Sequence, residues 1–209
     1  MDFIMPKRIS GADMEEIQLG RMREYLRKKG WAKSAVIRRP VGGKSQPIPW
    51  YSYPCTYFLG RRATPAMDVF EYGSGHSTLW WAKRVRSVTS CEHDRAFYEE
   101  ISANAPANVT YVLPEPDAYA SAVTAQPHRF DVVVVDGQDR VACGTSAVDG
   151  LKPGGVIVWD NADRDLYSEG YAFLKERGFR RLDFYGHGPI WIREWATTIF
   201  YRDGNCLGI

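Results

Sequence analysis

Glu71, Gly73, Gly75 and Glu92 are the residues whose types and spacing point most directly to chemistry. The first three lie in Asp68-Val-Phe-Glu-Tyr-Gly-Ser-Gly-His-Ser-Thr-Leu79. A second apolar run, Val88-Thr-Ser-Cys91, then ends in Glu92. Two glycines one residue apart let the backbone turn tightly and come close to a ligand. A carboxylate about twenty residues beyond such a turn can accept hydrogen bonds from ribose hydroxyls. The pattern therefore points to a ligand that carries a ribose. A dinucleotide site wants a third glycine, G-x-G-x-x-G, beneath a pyrophosphate, and that position is Thr78 here. Glu71 would also set a negative charge beside the pyrophosphate, so a cationic ligand fits better. Both points argue against a nicotinamide-dependent oxidoreductase.

More acids end the later apolar runs. Asp136 follows Val132-Val-Val-Val135, and Asp160-Asn161 follows Gly155-Val-Ile-Val-Trp159. Open α/β sheets bind ligands outside the C-terminal ends of their strands, which makes Asp136 the candidate catalytic base or substrate anchor. Asp136, Asp160 and Asn161 together could offer three oxygens to Mg²⁺ or Ca²⁺. A divalent metal is thereby raised but not favoured, because such residues also cap helices and order loops without one. His187, in Tyr185-Gly-His-Gly-Pro189, is a second candidate base, with an ordinary loop histidine as the alternative reading.

Parallel strands separated by helices would carry these groups to one edge. Strands are predicted over 68–71, 87–92, 109–113, 131–136 and 155–160. Helical segments fall between them over 77–85, 95–104, 117–124 and 141–151, followed by a helix over 168–177 that Gly178 stops. The β-branched run 132–135 suits a central strand buried on both faces. Gly154-Gly155 predicts a tight turn into the fifth strand. Two last strands, 180–185 and 196–202, have no helix between them and predict an antiparallel hairpin at the sheet edge. The expected fold class is α/β, a mostly parallel Rossmann-like sheet with helices on both faces.

Residues 1–60 are read as an N-terminal helix and substrate or lid segment, and 61–209 as the ligand-binding domain. The helix, 10–29, starts at Ser10 with acids in its first turn and ends in Arg27-Lys-Lys29 before Gly30. A Gly- and Pro-rich loop over 39–50 leads into Trp50-Tyr-Ser-Tyr-Pro-Cys-Thr-Tyr-Phe-Leu59, with a short helix expected near Pro54. Its aromatic rings suit either a substrate lid or a plug at one edge of the sheet.

The 209 residues suffice for one α/β domain with a substantial core. No run approaches the eighteen or so apolar residues of a membrane span, and Met1–Arg8 lacks the apolar core of a signal peptide. A cytoplasmic protein without a membrane partner is expected. Cys55, Cys91, Cys143 and Cys206 have no C-x-x-C or metal spacing and read as packing thiols. Residues 1–50 hold 11 Lys and Arg against 5 Asp and Glu, so a net charge of +2 divides into about +6 there and about −4 elsewhere. A basic arm for RNA or another acidic substrate is one reading and a solvated helix face the other. Without arginine-glycine repeats or an aromatic RNA-binding signature, a nucleic-acid partner is not expected.

Phe70-Glu-Tyr-Gly-Ser-Gly-His-Ser-Thr78 resembles the first motif of class I S-adenosylmethionine-dependent methyltransferases. Leu151-Lys-Pro-Gly-Gly155 and Phe130-Asp-Val-Val-Val-Val-Asp136 are similar to that family's turn before the fifth strand and to its fourth strand. The resemblance covers 67–202, roughly two-thirds of the chain. It implies that Glu71 faces the positive amino-acid end of S-adenosylmethionine and that the backbone of Gly73, Ser74 and Gly75 contacts that end. Ser77 opens the next helix, where free N–H groups favour a carboxylate. Glu92 would hold the ribose, His93 would lie at the adenine edge, and Asp117, with Glu115 close behind, would meet the adenine amino group. The Asp136, Asp160 and Asn161 trio resembles that of catechol-type metal-dependent O-methyltransferases. Where those place a lysine three residues after the first aspartate, this chain has Asp139, then Arg140. The implied activity is methyl transfer to a small-molecule acceptor, on oxygen. The alternatives are RNA or another acidic macromolecule as acceptor, or a non-catalytic methyltransferase-like binding protein.

Overall fold

The computed structural model describes residues 10–209; the reading of Met1–Arg8 lies outside them. Helix α1 (Gly11–Lys29) is capped by Ser10, whose hydroxyl accepts from the Asp13 N–H. It stops at Gly30 with φ of 79°, where a Cβ would press within 2.4 Å of the Val41 carbonyl oxygen. That contact folds the loop after α2 (Trp31–Ile37) back onto the end of α1. Helix α3 (Tyr53–Gly60) begins at the expected place, with Ser52 as N-cap and Pro54 in the first turn.

From there the chain alternates as β1 (Asp68–Tyr72), α4 (His76–Ala82), β2 (Ser87–Cys91), α5 (Arg95–Ser102) and β3 (Val109–Val112). After β4 (Phe130–Val135) come α6 (Arg140–Gly150), β5 (Leu151–Asp160), α7 (Ser168–Glu176), β6 (Arg180–His187) and β7 (Glu194–Tyr201). The helix expected over 117–124 is two short 3-10 turns, Pro116–Ala118 and Ala120–Val123. The strand order is β3-β2-β1-β4-β5-β7-β6. Strands β1 to β5 run parallel, and β7 inserts antiparallel between β5 and β6, as the helix-free hairpin predicted. Strand order reverses between β1 and β4, and a crevice opens there at the carboxyl ends.

Both faces of the sheet are covered, as its β-branched strands require. Phe70, Val133, Val135 and Trp159 point to one side, under α6 and α7. Val69, Val132, Val134 and Val158 point to the other, where Trp80 and Trp81 of α4 pack with Tyr51, Tyr53 and Leu59. The aromatic segment thus plugs a sheet face. Tyr57 and Trp50 are the exposed rings of the segment, and Trp50, at 38% exposed, lines the site.

The turn expected before β5 lies inside the strand. Leu151 pairs with Phe130 and Val156 with Val132, so residues 152–155 loop out as a bulge. Two contacts hold that shape: Lys152 Nζ reaches Asp68 and Asp131 at 2.7 Å each, and the Cys206 N–H donates to the Gly154 carbonyl at 2.8 Å. Arg86 and Ser87 also bind Asp68, completing an ion cluster at the amino ends of the strands. The four cysteines are free, and three of them are buried. No helix among the described residues is long and apolar enough to cross a membrane.

Candidate functional site

Strand β1 delivers Glu71 and Tyr72 to the crevice, and the chain turns at Gly73 with φ of 88°. A Cβ there would lie 3.0 Å from the Gly137 backbone, so the turn is pressed against the loop after β4. Conformation and contact both demand glycine. Glu71 is fully buried. Its Oε2 accepts from Thr78 Oγ1 at 2.5 Å and from Ser90 Oγ at 3.3 Å, while Oε1 has no partner. Thr78 Oγ1 in turn accepts from the Gly75 N–H at 3.0 Å, which ties the acid to the turn. Burial pushes the Glu71 pKa up to about 8, against the pull of the Ser77, Thr78 and Ser90 hydroxyls and with a further push from Asp136.

Glu92, at the end of β2, clamps the same turn. Its Oε2 accepts from the Ser74 N–H at 3.0 Å, and its Oε1 accepts from the N–H groups of His93 and Asp94 at 2.8 and 2.9 Å. Ser74 Oγ lies 2.8 Å from Ser90 Oγ, and Ser77 is buried in the first turn of α4. Glu71, Gly73, Ser74, Gly75, Ser77 and Glu92 thus form one continuous cluster. His93 stands at its edge, Nδ1 3.0 Å from Glu92, lining a cavity of about 410 Å³ with Glu115, Tyr119 and Gln138. Asp117 is exposed and faces the neighbouring hollow beside Gly137 and Asp139, so Glu115 is the acid on the His93 side. Tyr119, which sequence reasoning passed over, is buried there with an unpartnered hydroxyl.

Asp136 sits where β4 opens, its N–H donating to the Tyr72 carbonyl at 3.1 Å. The trio of Asp136, Asp160 and Asn161 does assemble, but around the guanidinium of Arg140. Arg140 Nε donates to the Gly137 carbonyl at 3.0 Å. One terminal nitrogen serves the Asp160 carbonyl and Asn161 Oδ1, and the other serves the Asp136 carbonyl and Oδ1 at 3.0 and 2.9 Å. All five of its N–H donors are engaged. The Asp160 carboxylate faces away, accepting from Trp195 Nε1 at 3.0 Å and Thr197 Oγ1 at 2.5 Å. A divalent cation here would be set against a fixed positive charge, so this donor set does not fit a metal. Burial raises the pKa of both aspartates; Arg140 opposes the rise at Asp136, while at Asp160 the Asp136 charge adds to it.

Beside this cluster lies a cavity of about 350 Å³, lined by Asp136, Arg140, Asp160 and Asn161, by Arg164 and Arg193, and by Trp50, Trp191 and Trp195. The N-terminal segment frames it. Trp31 Nε1 donates to the Trp191 carbonyl at 3.2 Å, and the Pro40 carbonyl lies 2.6 Å from Nδ1 of His76, beside the glycine turn. His187 lies at the end of β6 and lines no part of this cavity.

The strand order is that of the Rossmann-like sheet seen in solved methyltransferase structures. Precorrin-6y C5,15-methyltransferase from Geobacter metallireducens superposes with a TM-score of 0.56 at 13% identity, over 70% of this chain and 86% of that one. A methyltransferase-like protein from Silicibacter pomeroyi gives 0.50 at 24% identity, over 74% and 89%. A protein from Streptococcus mutans solved in complex with SAH, S-adenosylhomocysteine, gives 0.51 at 11% identity, over 69% and 94%. By sequence alone, no protein-family model and no curated protein matches the chain.

Proposed function

We propose that this chain transfers a methyl group from S-adenosylmethionine to an oxygen of a small molecule held beside Asp136. A fold hosts many chemistries, so the reading rests on the site. The observation that carries it is Glu71, a fully buried acid with one unpartnered oxygen, set against a glycine turn at the sheet's switch point. Such an oxygen is costly alone and is stabilised by a cationic ligand group. The amino-acid end of S-adenosylmethionine is one. The SAH complex of the Streptococcus mutans protein, on the same fold, supports the choice.

S-adenosylmethionine, when bound, supplies an electrophilic methyl group whose bond to sulfur returns its electron pair to sulfur. The chain's own residues do the rest. Glu71 and the backbone of Gly73 to Gly75 would hold the amino-acid end, Glu92 the ribose, and His93 with Glu115 the adenine side. The acceptor must be held in line about 3 Å from the methyl carbon, so positioning is the main contribution. The Asp136 carboxylate would serve as the base that accepts the proton of an acceptor hydroxyl.

Calorimetric titration with S-adenosylmethionine, its demethylated product and NAD tests the cofactor. Micromolar binding of the two sulfur compounds and none of NAD is expected; binding of NAD alone would sink the reading. Asp136→Asn should keep cofactor affinity while lowering turnover roughly 100-fold or more, and unchanged turnover would remove Asp136 from the reaction.

A further inference from the structure

The cavity beside Asp136 has a lining more specific than small-molecule binding requires. Trp50 and Trp191, among the largest apolar side chains, stand 38% and 50% exposed at its wall, and Trp195, which lines it too, is buried. Two features constrain the backbone at Trp191. Trp31 fixes its carbonyl, and the preceding Ile190 has φ of 77°, a conformation that a β-branched residue adopts only when its surroundings impose it. Indole rings exposed at a cavity wall offer apolar area and a π system to a flat ligand.

The charges point the same way. Arg140 has no free donor, and its charge is matched by Asp136. Arg164 and Arg193 line the same cavity, and neither forms an ion pair among the described residues. The Asp160 carboxylate, the other acid present, is turned to Trp195 and Thr197. Two arginines without an ion-pair partner thus line the cavity, Arg164 near enough to oppose the pKa rise at Asp136, and planar guanidinium forks match carboxylate and phosphate oxygens.

We infer that the cavity takes a small aromatic acceptor bearing one anionic group, a carboxylate or a phosphate, with its ring against Trp50 and Trp191 and its charge on Arg164 and Arg193. This rests on the methyl-transfer reading, because it names the acceptor class of that site. At about 350 Å³ the space is at the small end for ligand pockets, which suits one or two fused rings.

The test is titration of the full chain, with and without S-adenosylhomocysteine, using benzoate, phenyl phosphate, uncharged benzamide and acetate, read by tryptophan fluorescence and calorimetry. Benzoate or phenyl phosphate should bind at least tenfold tighter than benzamide and acetate, and the tighter of the two names the anion. Arg164→Gln and Arg193→Gln should each remove most of that preference, while Trp191→Ala should weaken both aromatic anions and benzamide. Thermal melting establishes that each variant is folded, and Arg164→Lys and Arg193→Lys, which keep the charge, should retain part of the preference. Benzamide binding as tightly as benzoate, or a preference unchanged in both glutamine variants, would overturn the inference. Cofactor titration separates the two readings. Aromatic anions bound without any S-adenosylmethionine affinity would leave the cavity assignment standing and defeat methyl transfer. Cofactor bound with no preference for aromatic anions would do the reverse.

Discussion

Glu71 is an acid whose ionisation the ligand should control. With its pKa near 8 the carboxyl is largely protonated at neutral pH, and a cation placed beside it favours the charged form. S-adenosylmethionine binding at pH 7 should therefore release close to one proton, and affinity should climb as pH rises toward 8 and then level. Titration in two buffers of different ionisation heat reads the proton directly; binding without release would remove Glu71 from contact with the ligand. The same shift has a stability sign. A folded pKa above the ordinary value of 4.5 gives a contribution fully present below 4.5 and lost as pH rises through 8. Glu71→Gln should accordingly gain on the natural chain at alkaline pH, by on the order of a few kcal/mol. The cluster from Glu71 to Glu92 was legible because its residues lie within one strand, turn and strand of each other. Arg140 was not, because five acceptors on four residues spread from Asp136 to Asn161 converge on it only in three dimensions.

Elements hold the site to tight tolerances, and α6 and α7 show how. Both close on Trp159 through glycine: a Cβ at Gly144 would lie 2.1 Å from its ring and one at Gly170 would lie 2.7 Å from it. Gly144→Ala should cost about 1–3 kcal/mol in denaturant unfolding, the usual range for overfilling a packed core. Because α6 begins with Arg140, the same change should also lower turnover. Stability equal to that of the natural chain would show that the ring has room to move. The alternation of strands and helices was readable from β-branched runs and glycine stops. The bulge at residues 152–155 was not: Leu151-Lys-Pro-Gly-Gly155 has the composition of a turn, and the partners that reshape it, Asp68, Asp131 and Cys206, lie as many as 84 residues away.

Across the whole molecule, ligand chemistry and ionic anchoring occupy opposite ends of the sheet. At the amino ends, Arg86 and then Lys152 and Ser87 hold the buried Asp68 carboxyl below the usual carboxylate range. Asp68→Asn should cost roughly 2–3 kcal/mol at neutral pH, a modest figure because Arg86 is 60% exposed and screened by solvent. A depressed pKa gives stability that is present above the unfolded value of 3.8 and lost as pH falls through the folded one, so the difference should fade in strong acid. Cofactor affinity should be untouched; urea titrations at both pH values with a parallel binding assay check all three outcomes. The fold class was legible at this scale because strand, turn and helix signals agreed with one another. The engagement of the N-terminal segment was not, since Trp31, Pro40 and Trp50 meet the site through contacts up to 160 residues apart in sequence.

Arg140 is translated with the rest of the chain, so its positive charge reaches the strand ends at a fixed ratio of one per molecule. Dialysis cannot strip it out, scarcity of an ion in the growth medium cannot starve it, and no competing ion can take its place.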